Sequence, residues 1–235
     1  LIANGREATT PVAVIRWGTT PKQEVLTGCL HDIVETMKED YYMKVCDDNP
    51  ILFVYGRIEK ESIAKIREIM KAEGLNDLFL VVMNYGAQAT AQMCNELSGN
   101  ALSQYTSLSN ALNEEYSIFS ERESKTWNDM AQLNMQVVPW VCIAWDPRPR
   151  IECDPAYRFA PPGCYDGNTS WSTASEYAVQ LKKAVSFIKS HPESCKAATL
   201  ITYSWNEFSE GGTLCPKLNN NKDYLIALGS VFSRK

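Results

Sequence analysis

Residues 51–83, ILFVYGRIEKESIAKIREIMKAEGLNDLFLVVM, carry the reading on which the fold turns. Residues 51–55 are apolar, uncharged and end in an aromatic, the pattern of a short strand. Over 61–73, Ile63, Ile66, Ile69 and Met70 recur at helical spacing and Gly74 follows, so this piece reads as a helix with one buried stripe. Residues 78–83, LFLVVM, form an unbroken apolar run, the mark of a strand covered on both faces in a parallel sheet. Strand, amphipathic helix and buried strand make a βαβ unit, and the fold class is α/β.

Working outward, residues 41–50 are charged and turn-rich, and 101–108 are a weaker strand candidate with Tyr105 near its end. Residues 12–17 read as a strand, 18–21 as a turn and 23–27 as a second strand, a short strand-loop-strand segment. Residues 114–133 are helical by pattern, and 136–144, QVVPWVCIA, read as the next buried strand. It stops at Trp145, Asp146, Pro147, Arg148, Pro149 and Arg150. Asp146 could orient a catalytic group or bind a hydroxyl, and Arg150 could pair with a carboxylate; the plain alternative is a structural Asp–Arg pair in a loop stiffened by proline. Residues 151–172 form a long loop whose Tyr157, Phe159, Tyr165 and Trp171 either stack on sugar rings or make the loop's own small core. Residues 174–190 and 223–232 are amphipathic helices, the first with Tyr177, Leu181, Ala184, Val185 and Ile188 on one side, the second packing Leu225, Leu228 and Phe232.

The chemistry concentrates in residues 199–213, TLITYSWNEFSEGGT. An apolar strand gives way at once to Trp205, Asn206, Glu207, Phe208, Ser209 and Glu210, then to Gly211 and Gly212. Side chains at the C-terminal ends of parallel barrel strands face the pocket. Two carboxyl groups placed there divide the labour when their surroundings differ, one protonating a leaving oxygen and one activating a nucleophile. The bland alternative is a surface turn with two solvated glutamates.

The chain of 235 residues is 45% hydrophobic and 22% charged, an ordinary globular balance, and its net charge of −5 argues against nucleic acid as a partner. No apolar run reaches the roughly 20 residues needed to span a bilayer. The sequence starts at Leu1 rather than at methionine, which leaves location open between export and cytoplasm. Its eight cysteines include no C-x-x-C pair, and Cys153 and Cys164 flank a proline-rich loop where a disulfide would suit an exported protein; buried free thiols are the alternative. With only His31 and His191 present, a metal site and a Ser-His-Asp hydrolase are not expected, nor is a cofactor.

Two resemblances add to this reading. LIANGR, TPVAVIRWGTT, and a glutamine followed by LTGCLHDIV, all within residues 1–34, resemble the late part of the uroporphyrinogen-III C-methyltransferase family. That likeness implies that Gly18 would help hold S-adenosylmethionine, although the family's glycine-rich cofactor loop has no counterpart here. From about residue 40, DYYMKV, NPILFVYGR, VPWVCIAWDPRPR and YSWNEFSEGGTLCPK resemble the WbsX-type carbohydrate-active proteins, relatives of the endo-α-mannosidase glycoside hydrolases. This implies a partial (β/α)8 TIM-type barrel lacking its first strands, with a methyltransferase-like fragment over residues 1–36 and the barrel over 37–235.

It also implies roles. Glu207 would be the general base, in the mannosidases assisting the sugar's own 2-hydroxyl, and Glu210 the general acid. Trp205 and Asn206 would shape the pocket floor, and Trp145, Asp146 and Arg150 match a tryptophan–aspartate–arginine signature. Apart from the resemblance, Tyr105 is expected as a further substrate contact. Phe208 stands where the mannosidases prefer tryptophan and Ala144 where glycine is usual. The expected function is cleavage of glycosidic bonds in an oligosaccharide or polysaccharide, with glycosyl transfer open because some members are described as glycosyltransferases. A protein derived from an S-adenosylmethionine-dependent methyltransferase and a non-catalytic sugar-binding remnant are the alternatives. A barrel without its first strands exposes sheet edges, so the chain on its own is expected to be poorly active.

Overall fold

The structure, a computed structural model, describes residues 15–17, 23–56, 58–153, 167–218 and 221–232. It divides into two compact units.

The first unit takes Leu1–Gln104, Met130–Val138 and Pro192–Ala198. Its sheet runs β1 (Ile15–Trp17), β3 (Asn49–Tyr55), β4 (Phe79–Met83), β5 (Ala101–Ser103) and β6 (Gln136–Val137), all parallel, while β2 (Lys44–Val45) pairs antiparallel with β3. Helices α1 (Gln23–Lys38), α2 (Lys60–Ala72) and α3 (Ala87–Glu96) alternate with these strands. That alternation of parallel strand and helix is the connectivity of a partial (β/α)8 barrel. Every residue of β4 is buried, as its uncharged sequence requires. Ile63, Ile66, Ile69 and Met70 form the buried face of α2, each side chain contributing about 1.5–3 kcal/mol on burial. Gly74 follows in the left-handed region at φ +73°, which lets the chain turn away after the helix. The Tyr42 hydroxyl donates to the Ile51 carbonyl at 2.7 Å, fastening the segment before β3 to that strand.

Two expectations are corrected here, and one helix was not foreseen. Residues 23–27 are the start of α1, not a second strand: the apolar positions continue as Leu30, Ile33, Val34 and Met37, all buried, and that spacing is helical. The helix runs without a break past residue 36. Residues 136–144 do not form one strand, because the chain is interrupted at Val138 and Pro139, and proline has no N–H for a ladder. Helix α3 was not anticipated; its buried residues are the small or polar Thr90, Ala91 and Cys94, which leave almost no hydrophobic stripe.

The second unit takes Tyr105–Asp129, Pro139–His191 and Thr199–Lys235. It holds most of α4 (Tyr116–Ala131), then β7 (Trp140–Cys142), α5 (Arg148–Cys153), α6 (Ala174–Ser190), β8 (Ile201–Tyr203), β9 (Asn206–Glu207), β10 (Gly212–Thr213) and α7 (Asp223–Phe232). Strands β7 and β8 are parallel, with Cys142 opposite Tyr203. Thr173 and Glu176 form a reciprocal capping box at the start of α6. The buried indole of Trp140 meets Trp127 edge-on at 6.3 Å. On α7 only Ala227 is buried; Leu225, Leu228 and Phe232 are half-buried. Among the described residues no helix is long and apolar enough to cross a membrane, and Cys46, Cys94, Cys142, Cys195 and Cys215 are free thiols. The expected Cys153–Cys164 pairing lies outside the described residues.

A carboxylate lies inside this unit. Glu123 continues the buried face of α4 set by Tyr116 and Phe119, and it accepts from Ser107 Oγ at 3.0 Å, the Cys142 N–H at 3.1 Å and Gln180 Nε2 at 3.3 Å. Burial pushes its carboxyl up to about 7 from an ordinary 4.5, against the pull of those hydrogen bonds. Between these values the native protein holds a proton that the unfolded chain has released. The contribution to stability is therefore fully present below about 4.5 and declines as pH rises toward 7. Glu123→Gln should remove that decline, and urea midpoints measured across this interval should be flatter than in the unmodified protein; an equally steep fall would show that Glu123 is not its source.

Candidate active site

The end of β8 and the hairpin that follows it carry the two glutamates. After Tyr203 the chain turns at Ser204 and Trp205, enters β9, passes through a 3-10 turn at Phe208–Glu210 and returns as β10, with Gly212 opposite Glu207. Both glycines stand where a side chain would be strained or crowded. Gly211 sits at φ +78°, and a Cβ there would stand 3.0 Å from the Asp146 nitrogen. A Cβ on Gly212 would stand 2.6 Å from Ser204 Oγ. The Asp146 N–H donates to the Glu210 carbonyl at 3.0 Å, so the hairpin is seated against the loop that follows β7.

The carboxylates have unequal surroundings. Glu210 is 6% exposed, and its two oxygens accept from the Tyr203 hydroxyl and from Arg150 Nη1. Burial pushes its carboxyl above the ordinary range and the nearby Glu207 charge adds to this, while the Tyr203 and Arg150 hydrogen bonds pull it down. Glu207 is half-buried; its Oε1 accepts from Arg150 Nη2 at 3.0 Å and from Ser209 Oγ at 2.9 Å. Arg150 Nε donates to the same Ser209 oxygen at 2.9 Å. One guanidinium thus holds both carboxylates and the serine between them. Burial, and then the Glu210 charge, push the Tyr203 phenol well above its ordinary value, so it stays a donor.

The expected site residues divide as follows. Glu207, Glu210 and Arg150 are brought together, and Tyr105 packs edge-on against Tyr203 at 5.2 Å. Asp146 pairs with Arg148, whose Nε and Nη2 each donate at 2.7 Å, and this pair holds its carboxyl below the ordinary range. Trp171 Nε1 donates to Asp146 at 3.2 Å, and Lys217 Nζ stands 4.3 Å over the Trp171 ring and 4.4 Å over Tyr224. Trp145 is buried, whereas Trp205 and Asn206 are exposed, as is Phe208. Gly18, Tyr157, Phe159 and Tyr165 lie outside the described residues.

The sequence reading passed over Tyr203, Ser209 and Arg148. Tyr203 was legible as the last residue of a parallel strand, where side chains reach a barrel's pocket. For Ser209 there was no signal beyond its place between the two glutamates. Among the described residues no group of three or more His, Cys, Asp or Glu is placed to hold a metal ion. Chemically, the arrangement offers a buried carboxyl suited to retain a proton, a more accessible carboxylate suited to accept one, and a cation spanning them.

The family model described as glycosyltransferase WbsX matches residues 21–228. Among solved structures, the GH99 endo-alpha-mannosidase from Bacteroides thetaiotaomicron is similar with a TM-score of 0.57 and 13% identity over 94% of this chain and 66% of that one. Its complex with BIS-TRIS-Propane gives a TM-score of 0.55, also at 13% identity, over 94% and 67%. These likenesses bear on the fold and agree with a partial TIM-type barrel. Shorter stretches match curated proteins. Siroheme synthase 2 of Aeromonas salmonicida is 54% identical over 58 residues, and the uroporphyrinogen-III C-methyltransferase of Priestia megaterium is 34% identical over 58. The chain spans 11% and 22% of the lengths of those two relatives.

Proposed function

The chain belongs to the WbsX glycosyltransferase family, and from that premise we propose that it is a carbohydrate-active enzyme that cleaves glycosidic bonds with Glu210 as general acid and Glu207 as general base. The observation that carries this reading is the unequal pair on one hairpin: Glu210 buried with its carboxyl pushed up, Glu207 half-buried beside it. Glu210 gives its proton to the glycosidic oxygen as the bond to the anomeric carbon breaks. Glu207 takes a proton from the attacking hydroxyl, either the sugar's own 2-hydroxyl or a water. Exposed Trp205 and Phe208 beside the carboxylates offer apolar faces to sugar rings.

The test is incubation of the protein with oligosaccharides, α-mannosides among them, followed by chromatography of the products. Shorter products support cleavage, and products lengthened by an added sugar support transfer instead. Oligosaccharide binding without turnover, unchanged when both glutamates become glutamine, would favour the sugar-binding reading and overturn this one.

The siroheme synthase and methyltransferase matches favour a second reading for part of the chain, a methyltransferase ancestry that we assign to residues 1–36, ahead of a barrel over 37–235. It predicts S-adenosylmethionine binding, and a flat calorimetric titration would dispose of it.

A further inference from the structure

Arg150 was expected to contact substrate, yet each of its three guanidinium nitrogens donates to the protein: Nη1 to Glu210, Nη2 to Glu207 and Nε to Ser209. We propose that Arg150 is a positioning residue that holds Glu207 and Glu210 as a bridged pair of carboxylates, and that Glu210 takes up its proton when the guanidinium is displaced.

The argument is one of donors and acceptors. A guanidinium has donors only. A proton on the Glu210 oxygen that faces Arg150 would therefore point at N–H groups, and the two cannot share that space. The other Glu210 oxygen receives the Tyr203 hydroxyl, and a proton there would require that phenol to turn and accept. Protonation at the Arg150 side requires a partner that accepts, and a glycosidic oxygen or sugar hydroxyl is such a group.

Charge leads the same way. Among the described residues the groups acting on Glu210 are Tyr203 from β8, Arg150 from α5 and Glu207 on its own hairpin, with Ser209 bonded to Glu207. The Asp146–Arg148 pair stands behind, tied through the Asp146 N–H. Arg150 and Glu210 are both largely buried, with 16% and 8% of their side chains exposed, so solvent screens this contact weakly. Without Arg150 two neighbouring carboxylates remain, and such a pair shares one proton. Arg150 itself lies on the six-residue helix α5, entered through Pro147.

The consequence for catalysis rests on the general-acid reading of Glu210; the bridge does not. The experiment follows the Glu210 carboxyl carbon by NMR against pH in protein labelled at the glutamate side chains, with Glu210→Gln identifying the signal. The midpoint should move to higher pH in Arg150→Gln and lie between the two in Arg150→Lys, which keeps the charge but loses the fork. An unchanged midpoint in the folded variants overturns the proposal. Should Arg150→Gln fail to fold, the unmodified protein carries the test. Its Arg150 side-chain N–H signals should lose protection through the same midpoint at which Glu210 protonates, and protection persisting below it overturns the proposal. Neither readout needs turnover, so failure to cleave oligosaccharides would count against the proposed function alone.

Discussion

Glu210→Gln should lower cleavage of an oligosaccharide by about 10²- to 10⁴-fold, the usual contribution of a positioned general acid. Glutamine has nearly the shape of glutamate but no proton to give. It also presents one acceptor where the site has two donors, the Tyr203 hydroxyl and Arg150 Nη1, so one of them must face an NH2 group. The diagnostic contrast is the leaving group. A dinitrophenyl glycoside departs without protonation and should keep most of its rate in Glu210→Gln, whereas Glu207→Gln should slow both substrates. Initial rates by product chromatography and by dinitrophenolate absorbance make the comparison. Undiminished cleavage of the oligosaccharide by Glu210→Gln would remove Glu210 from the role of acid.

Trp140→Ala should destabilise the protein by about 3–5 kcal/mol, the range for deleting a large aromatic from a core. That is a large share of the roughly 5–15 kcal/mol that holds a typical domain folded. Trp140 is fully buried and packs edge-on against Trp127. Its indole N–H donates to Ser107 Oγ at 2.8 Å, and that hydroxyl in turn donates to Glu123 at 3.0 Å. Truncation would open a cavity and leave the serine oxygen short of a donor beside a buried carboxyl. Trp140→Phe, which keeps a ring and loses the N–H, should fall between the two. Urea unfolding measures both, and a loss under about 2 kcal/mol for alanine would fall below the range for truncating a large core side chain to alanine and overturn this expectation.

The parts of this fold that were legible in the sequence are those where one physical signal dominates. Residues 78–83 have no charge and become a strand buried along its length; Ile63, Ile66, Ile69 and Met70 repeat at helical spacing and become the inner face of α2. Misreadings came where two signals compete. Val25 and Leu26 beside Thr27 and Gly28 resemble the end of a short strand until the window is lengthened to Met37, where helical periodicity prevails. In α3 the buried positions are too small and polar to announce themselves.

For the candidate site, residue types were readable and partnerships were not. Either an arginine paired with a carboxylate or a structural Asp–Arg pair was foreseen in the loop after β7, and the structure shows both pairings, on different arginines. Arg148 takes Asp146, and Arg150, two residues on, takes the glutamates. That choice depends on where α5 stands relative to a hairpin some sixty residues later, which no local pattern encodes. Glu123 was passed over for the same reason: within SERESK it reads as one more solvated charge, and only its register with Tyr116 and Phe119 marks it as internal.

The seating of Gly211 on Asp146 limits how this protein can be recombined. A side chain at 211 would be strained at φ +78° and would crowd the Asp146 backbone, and the Asp146 N–H is bonded to the Glu210 carbonyl. The loop over 145–150 and the hairpin over 204–213 therefore behave as a single interlocking cassette. Exchanging either one alone with a homologous segment would break the fit, whereas moving both together transfers the carboxylates, their arginine and the spacing between them as one heritable module.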